Sequence, residues 1–452
     1  MGGLDEVEVR LHRPRSVDEL RGLLASLPNV VLVGGQQSFG GQFLPSAGGE
    51  AVSVAELPQR VEKLGGGWVR ASGSVTLAEL VDAVPDHLPR NPPTTDLVTL
   101  GGAIAGCTHD SIGYFCSNVR WFRFLAADGT VHECHPAASG LAERLYWHVP
   151  GSFGALGVVL DAELQLVPTA PDECVEIEIT HRGRHPDPVA IAKLREVGLG
   201  GAIYLYGTTQ TAVVDARLAR AADVAHLPRM PLTDDAWVRN AYLQGIANRF
   251  PWLVAAISTR TLPEGKRFRA PRYSHAFFQK SYARAFGILS GDALAARALG
   301  ALGVDPRLPV VHQSFAIPEG KAADFYRVYV SVLETYRDLL PRIEAQDMIA
   351  LPPCPFPLHG MHGMGAAYLF TSSLSVPRGS RLETHARAFL AEVAAKTWRD
   401  HGAKTLLLKQ AHVPDALLRD QHSEAIERLR ALKAEVDPRG VLSSRLLARL
   451  KL

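Results

Sequence analysis

Val33-Gly34-Gly35-Gln36-Gln37-Ser38-Phe39-Gly40-Gly41-Gln42 follows directly on the apolar run Val30 to Val33. Four glycines flank three polar side chains at the end of a predicted strand. A diphosphate needs several backbone N–H groups turned into one concavity, and glycine-rich turns make such nests. The spacing is neither that of a P-loop, which ends in Gly-Lys-Ser/Thr, nor the Rossmann G-x-G-x-x-G. Taken alone, the stretch reads equally well as a loop between strands.

Outward from this loop, short strands alternate with helices. Ser16-Val17-Asp18-Glu19 predicts a capping box, with Leu20, Leu23, Leu24 and Leu27 behind it at helical spacing. Val52 to Val54 and Val69 to Ala71 read as strands, and Thr76-Leu77-Ala78-Glu79 opens a second capped helix that Pro85 ends. Small residues then accumulate in Thr99-Leu100-Gly101-Gly102-Ala103-Ile104-Ala105-Gly106-Cys107-Thr108-His109. Phe122 to Ala127 and Gly129 to Cys134 form a hairpin pattern about Asp128-Gly129. Gly151, Gly154 and Gly157 recur at every third residue before a strand from Val158 to Leu166. Glycine is costly inside regular structure, so its concentration in these patches predicts close approach of the backbone to something flat or bulky.

The order of these segments resembles the FAD-binding vanillyl-alcohol oxidase / p-cresol methylhydroxylase superfamily. There a G-G-x-H/R-S-F/Y-G loop precedes T-x-G-G-x-I-A, a hairpin with A-D-G, and L-[FY]-W-x-x-x-G-x-x-G-x-x-G-[VI]-[VI]. The corresponding residues are 33–42, 99–109, 124–129 and 145–159. Within the superfamily the likeness is to decaprenylphosphoryl-ribose oxidase-like proteins, and it extends to Leu406-Leu407-Leu408-Lys409 and Val436-Asp437-Pro438-Arg439-Gly440-Val441. The fold implied is α+β: a two-subdomain PCMH-type FAD-binding domain over residues 1–168, a substrate domain over 169–404 whose antiparallel sheet is flanked by helices, and a C-terminal return over 405–452. The resemblance implies that Gly34, Gly35, Gln36, Gln37 and Ser38 cradle the pyrophosphate. It implies that Gly101, Gly102, Cys107, His109, Gly151, Gly154, Gly157 and Val159 line the rest of the cofactor. Lys409 matches a lysine lying against the flavin pyrimidine edge in relatives.

Departures from the pattern are informative. Gln37 stands where many members carry a histidine that attaches FAD covalently, and an amide cannot form that bond, so the expected FAD is non-covalent. The surroundings of Cys107 and Cys116 do not match the cysteinyl attachment motif, and both read as small buried hydrophobes.

On the substrate side, Val311-His312-Gln313-Ser314-Phe315 alternates, putting His312 and Ser314 on one face of a strand. Thr371, on a strand beginning near Tyr368, is a comparable candidate. These three are the expected substrate-binding residues, with His312 the expected general base beside Lys409. The polar pocket residues of a decaprenylphosphoryl-ribose oxidase are not reproduced here, so a lipid-linked ribose is not the expected substrate. His359 and His362 form H-G-M-H without a third ligand at metal spacing, and no metal is expected. Tyr273 and His275 precede an aromatic-rich stretch as core or cap residues. Further strands are expected at Ala202 to Tyr206 and Thr405 to Lys409, and one helix from Pro414 to Glu435.

Composition narrows the partners. A net charge of +2 over 452 residues gives no support to nucleic-acid or membrane capture. Five cysteines without repeated spacing suit a reducing compartment, and no apolar stretch approaches the roughly 18 residues of a membrane span. The acidic start of the chain does not resemble a secretory signal. The expectation is a cytoplasmic enzyme with a small-molecule substrate, its oligomeric state open. The expected reaction is oxidation of a CH–OH group of a sugar, polyol or similar intermediate in biosynthesis. The alternatives are oxidative cyclisation or desaturation of a secondary metabolite, and a redox-inactive flavin-binding scaffold.

Overall fold

The computed structural model describes residues 7–36, 38, 41–45, 49–91, 97–110, 113–168, 173–183, 202–206, 210–228, 267–271 and 310–452. Gln37, Tyr273 and His275 lie outside them.

Three short parallel strands open the molecule: β1 (Leu11–His12), β2 (Val30–Val33) and β3 (Glu50–Ser53), in the order β1-β3-β2. The helix between the first two, α1 (Val17–Ser26), buries Leu20 and Leu24. Its cap is half the expected box. Ser16 Oγ accepts from the Glu19 N–H at 3.1 Å, but the Glu19 carboxylate accepts from the Arg15 N–H.

A six-stranded antiparallel sheet follows. It is built from β4 (Val61–Gly65), β5 (Trp68–Ser72), β6 (His87–Pro89), β9 (Val119–Ala126), β10 (Val131–Cys134) and β11 (Gly157–Pro168). The main order is β10-β9-β11-β5-β4, with β6 pairing the far end of β11. A small hairpin, β7 (His109–Asp110) and β8 (Gly113–Tyr114), stands apart from it. The helices of this region are α2 (Leu77–Ala83), α3 (Leu100–Ala105) and α4 (Leu141–His148). Thr76 and Glu79 make the complete capping box that the sequence predicts for α2. The β9–β10 hairpin turns at Asp128-Gly129, where Gly129 has φ +90°.

The third sheet has eight strands, all paired antiparallel: β12 (Glu173–Gly183), β13 (Ala202–Tyr206), β14 (Gln210–Arg220), β15 (Arg267–Pro271), β16 (Val310–Pro318), β17 (Ile343–Leu351), β18 (Ala367–Ser375) and β19 (Lys404–Thr405). Their order is β15-β12-β14-β13-β17-β18-β16-β19. On β16 and β18 the two faces serve different cores. Val311, Phe315, Ile317, Tyr368, Phe370 and Leu374 pack with α5 (Ala322–Thr335) and α6 (Arg381–His401). Ala316, Ala367 and Leu369 face the other way, into the core of the six-stranded sheet. His312, Ser314, Thr371 and Ser373 continue that second row by simple alternation.

The C-terminal helices are α7 (Asp415–Gln421), α8 (Ser423–Val436) and α9 (Arg445–Leu450). Leu429, Leu432 and Val436 enter the first core, and residues 441–443 run beside β2, with the Val30 N–H donating to Val441 O at 2.8 Å. Lys433 and Asp437 form a buried ion pair, and the Asp437 carboxylate also accepts from the N–H groups of Val441 and Leu442.

Two expectations need correction here. The strand foreseen over Thr405 to Lys409 stops at Thr405, because the chain leaves the sheet in a turn and is held there by side chains described below. The helix foreseen from Pro414 to Glu435 breaks at His422. Its ring turns inward to donate from Nε2 to Thr405 O at 2.8 Å, while Gln421 Oε1 accepts from the Thr405 N–H at 3.1 Å. The exposed edge of β19 is thereby sealed without another strand.

Candidate active site

The three glycine-rich segments converge. A side-chain carbon on Gly34 would lie 2.4 Å from Thr99 Oγ1, and one on Gly35 only 2.0 Å from the backbone oxygen of Leu97. Thr99 in turn caps α3 by accepting from the Gly102 N–H at 3.3 Å. Gly101 donates its N–H to Gly73 O at 2.8 Å, and a side-chain carbon there would lie 3.4 Å from Val159 O. The N–H groups of Gly151 and Phe153 both donate to Ala105 O at 3.0 Å, and Gly154 packs over Leu32. Gly157 has φ +150° and lies against Leu125 O, while Val159 is buried. Packing of backbone on backbone is thus what demands glycine at positions 35 and 157. Gly34 and Gly35 remain half-exposed, and Gly102, Gln36 and Ser38 are exposed.

Backbone strain gathers in the same segments. Gln36 (φ +56°), Cys107 (φ +48°) and Phe153 (φ +54°) are left-handed without being glycine, one in each segment. Such residues cost about 1–3 kcal/mol each and cluster at ligand sites. Cys107 itself is wholly buried, and burial, with Cys116 and Cys354 beside it, pushes its thiol well up. It sits as a small hydrophobe beneath the site.

The segment after β19 supplies the lysine. Leu406 N–H donates to Ser314 O at 2.8 Å, residues 406–409 turn away from the sheet, and Gln410 rejoins it by accepting the His312 N–H at 2.9 Å. Lys409 stands on this excursion. Gln42, the last residue of the quoted loop, donates to the carbonyls of Leu407 (2.6 Å) and Lys409, so the turn is satisfied by a residue far away in sequence. The ammonium of Lys409 acts on two imidazoles. Burial first, then His359, then Lys409, hold the His109 ring far below its usual value. Burial, then Lys409, then His412, do the same for His312. Both rings are neutral at neutral pH.

The polar row on the sheet is closed on itself in pairs. His312 Nδ1 meets Ser373 Oγ at 2.7 Å, and Ser314 Oγ meets Thr371 Oγ1 at 3.0 Å. All four side chains are buried. Every protonatable group in the row is uncharged, and each hydroxyl can still donate and accept.

Sequence reasoning missed His359, Ser373, Gln42 and Gln410. The H-G-M-H spacing is no metal motif and gives His359 no other signal. Its ring stands 5.9 Å from that of His109, edge to face, and its backbone packs on Gly151. Met361 N–H donates to His359 Nδ1 at 3.3 Å, which leaves the proton on Nε2. Neither that Nε2 nor His109 Nδ1 finds a hydrogen-bond partner among the described residues. A buried orphan of this kind costs ~1–3 kcal/mol, which a bound ligand would recover. The half-open glycine turns, the strained backbone and the orphaned ring nitrogens together fit a large, flat, diphosphate-bearing cofactor.

The comparisons with known proteins agree. Residues 10–135 match the family described as FAD binding domain. The chain is 32% identical over 137 residues to decaprenylphosphoryl-beta-D-ribose oxidase of Mycolicibacterium smegmatis, covering 28% of this chain and 29% of that oxidase. It thus matches less than a third of the length of that relative. It is also 26% identical over 408 residues to an uncharacterized protein in the mprA 5' region of Streptomyces coelicolor, covering 83% of this chain and 99% of that protein. The chain therefore carries an FAD-binding domain, and FAD is its cofactor. No helix among the described residues is long and apolar enough to cross a membrane.

Proposed function

We propose, from the FAD-binding domain of residues 10–135, that this protein oxidises a CH–OH group of a small, neutral, polyhydroxylated substrate. The observation that carries the reading is the buried, neutral His312 at the end of a buried row of hydroxyls, its backbone tied through Gln410 to the segment that carries Lys409. Bound FAD supplies the hydride acceptor at N5.

His312 takes the hydroxyl proton. Its depressed basicity keeps the ring unprotonated and ready, while the nearby ammonium of Lys409 also weakens the hold of a substrate hydroxyl on its own proton. Lys409 further supplies a fixed positive charge where negative charge gathers on reduction. Ser314, Thr371 and Ser373 offer donors and acceptors but no charge, which favours a sugar or polyol over a carboxylate. The cradle comprises Gly34, Gly35, Gln36, Gln37 and Ser38, with Gly101, Gly102, His109, Gly151 and Gly154 along the rest of the cofactor. Cys107, Gly157 and Val159 support it from below. With Gln37 in the histidine position, the FAD is held without a covalent bond.

The test is optical. The purified protein should be yellow and release its flavin into the supernatant on acid precipitation, and a panel of sugars and polyols should bleach the bound flavin anaerobically. Bleaching accompanied only by unsaturated or cyclised products would replace alcohol oxidation with the alternative chemistry, and flavin left in the pellet would remove the non-covalent assignment.

A further inference from the structure

A chain of hydrogen bonds reaches the site from the opposite face of the sheet. Glu383, in the first turn of α6, accepts from Arg387 Nε at 2.9 Å. Arg387 Nη1 stands 3.1 Å from His412 Nδ1, and His412 Nε2 stands 2.6 Å from Gln410 Oε1. A guanidinium only donates, so His412 Nδ1 accepts and the ring proton is on Nε2. That proton is donated to Gln410 Oε1, which also receives the His312 N–H at 2.9 Å. Two donors converging on one atom fix it as the amide oxygen and so fix the orientation of the amide. His412 has little freedom of its own. Its N–H donates to Gln313 Oε1 at 2.7 Å, and Arg449 grips the carbonyls on either side, Ala411 at 2.8 Å and Val413 at 2.6 Å.

We infer that Arg387 and His412 are positioning residues, which act through Gln410 to set where His312 and Lys409 stand. The inference rests on the reading of His312 and Lys409 given above. Residues 410–412 are attached to β16 by side chains instead of a ladder, and Lys409 is the last residue of the excursion from the sheet. Gln410 is therefore the hinge of both groups: its oxygen holds the backbone of His312, and its own backbone carries Lys409. Neither Arg387 nor His412 need touch substrate.

The test uses the full-length holoprotein labelled with 15N-histidine. His412 should show the Nε2–H tautomer. His412→Phe should shift the His312 ring resonances and lower kcat on the order of ten- to a hundredfold with KM nearly unchanged. His412→Gln, whose amide can still donate to Gln410, should recover most of the loss. If His412→Phe does not fold, Arg387→Met puts the same question from the outer end of the chain. An Nδ1–H tautomer, or His312 resonances unmoved in these variants, would overturn the inference. Shifted resonances with unaltered turnover would sustain the relay and remove His312 and Lys409 from the chemistry, so the two ideas fail separately.

Discussion

Gln42 donates its side-chain amide to the backbone carbonyl of Lys409, across a sequence separation of 367 residues. The same nitrogen reaches Leu407 O, so one side chain at the end of the glycine-rich loop satisfies the turn that carries the lysine. Replacing it should loosen both partners. Gln42→Leu strands a buried carbonyl at Leu407 and a half-buried one at Lys409, the first at a cost of about 1–3 kcal/mol. A melting point lowered by several degrees, together with faster flavin loss on gel filtration, is the expected result. An unchanged melt with flavin retained would mean that the turn stands without it.

Glycine at position 35 answers to a backbone oxygen only 2.0 Å from where a side-chain carbon would sit. A carbonyl cannot rotate aside as a side chain can. Gly35→Ala should therefore purify with little or no flavin. Gly22→Ala, in α1 with nothing within 4 Å, should keep its flavin and gain roughly 0.5–1 kcal/mol. Equal flavin content in the two variants would show that the loop is not built around close approach.

Acid should destabilise the fold through its histidines. Burial depresses His109 and His312 well below the ordinary value of 6.5, His422 to about 4, and His412 to about 3, the last also through Arg387 and Arg449. A depressed histidine binds fewer protons folded than unfolded, so its contribution is complete above 6.5 and is lost as pH falls from there through the folded values. Melting temperature should hold from pH 8 to about 6.5 and fall increasingly steeply toward pH 4. A flat profile across that window would contradict the burial of these rings.

Lys409→Met should lower turnover by on the order of a hundredfold if its charge is used as proposed, with Lys409→Arg losing less. The same change should let the His312 ring titrate closer to its ordinary value, because the ammonium that adds to burial in holding it down is gone. Flavin reduction followed by stopped flow separates a slowed chemical step from slowed binding.

Asp437→Asn breaks the buried pair with Lys433 while keeping most of the shape. A cost of about 3–5 kcal/mol is expected for a buried charge left without its counterion. Because Asp437 also holds the turn to Val441 and Leu442, the loss should appear in urea melts of the whole chain.

Much of the first two sheets was legible because local signals there are strong. The Thr76–Glu79 box and the Asp128-Gly129 turn are plain in the residues themselves, and the glycines of the three rich segments mark places of close approach. What they approach is less legible: Gly101 and Gly157 meet neighbouring backbone, which no single-chain pattern records. Leu406 to Leu408 is a short apolar run that reads as a buried strand, yet its backbone bonds go to Ser314 and Gln42, distant residues that override the local pattern. The break at His422 has the same origin, in a ring that serves Thr405. His359 offered only an unmatched motif, and its place opposite His109 is set by the packing of Gly151.

The two-faced strand β16 has an evolutionary corollary. His312, Ser314 and Ala316 point one way and Val311, Phe315 and Ile317 the other, with no residue to spare between the rows. Inserting or deleting a single residue at its start would turn the hydroxyl-bearing row into the oily layer beneath α5 and α6 and drive phenylalanine into the polar row. New substrate preferences in descendants of this chain should therefore arise by exchange of side chains at fixed length within β16, while length variation is confined to the connections outside it.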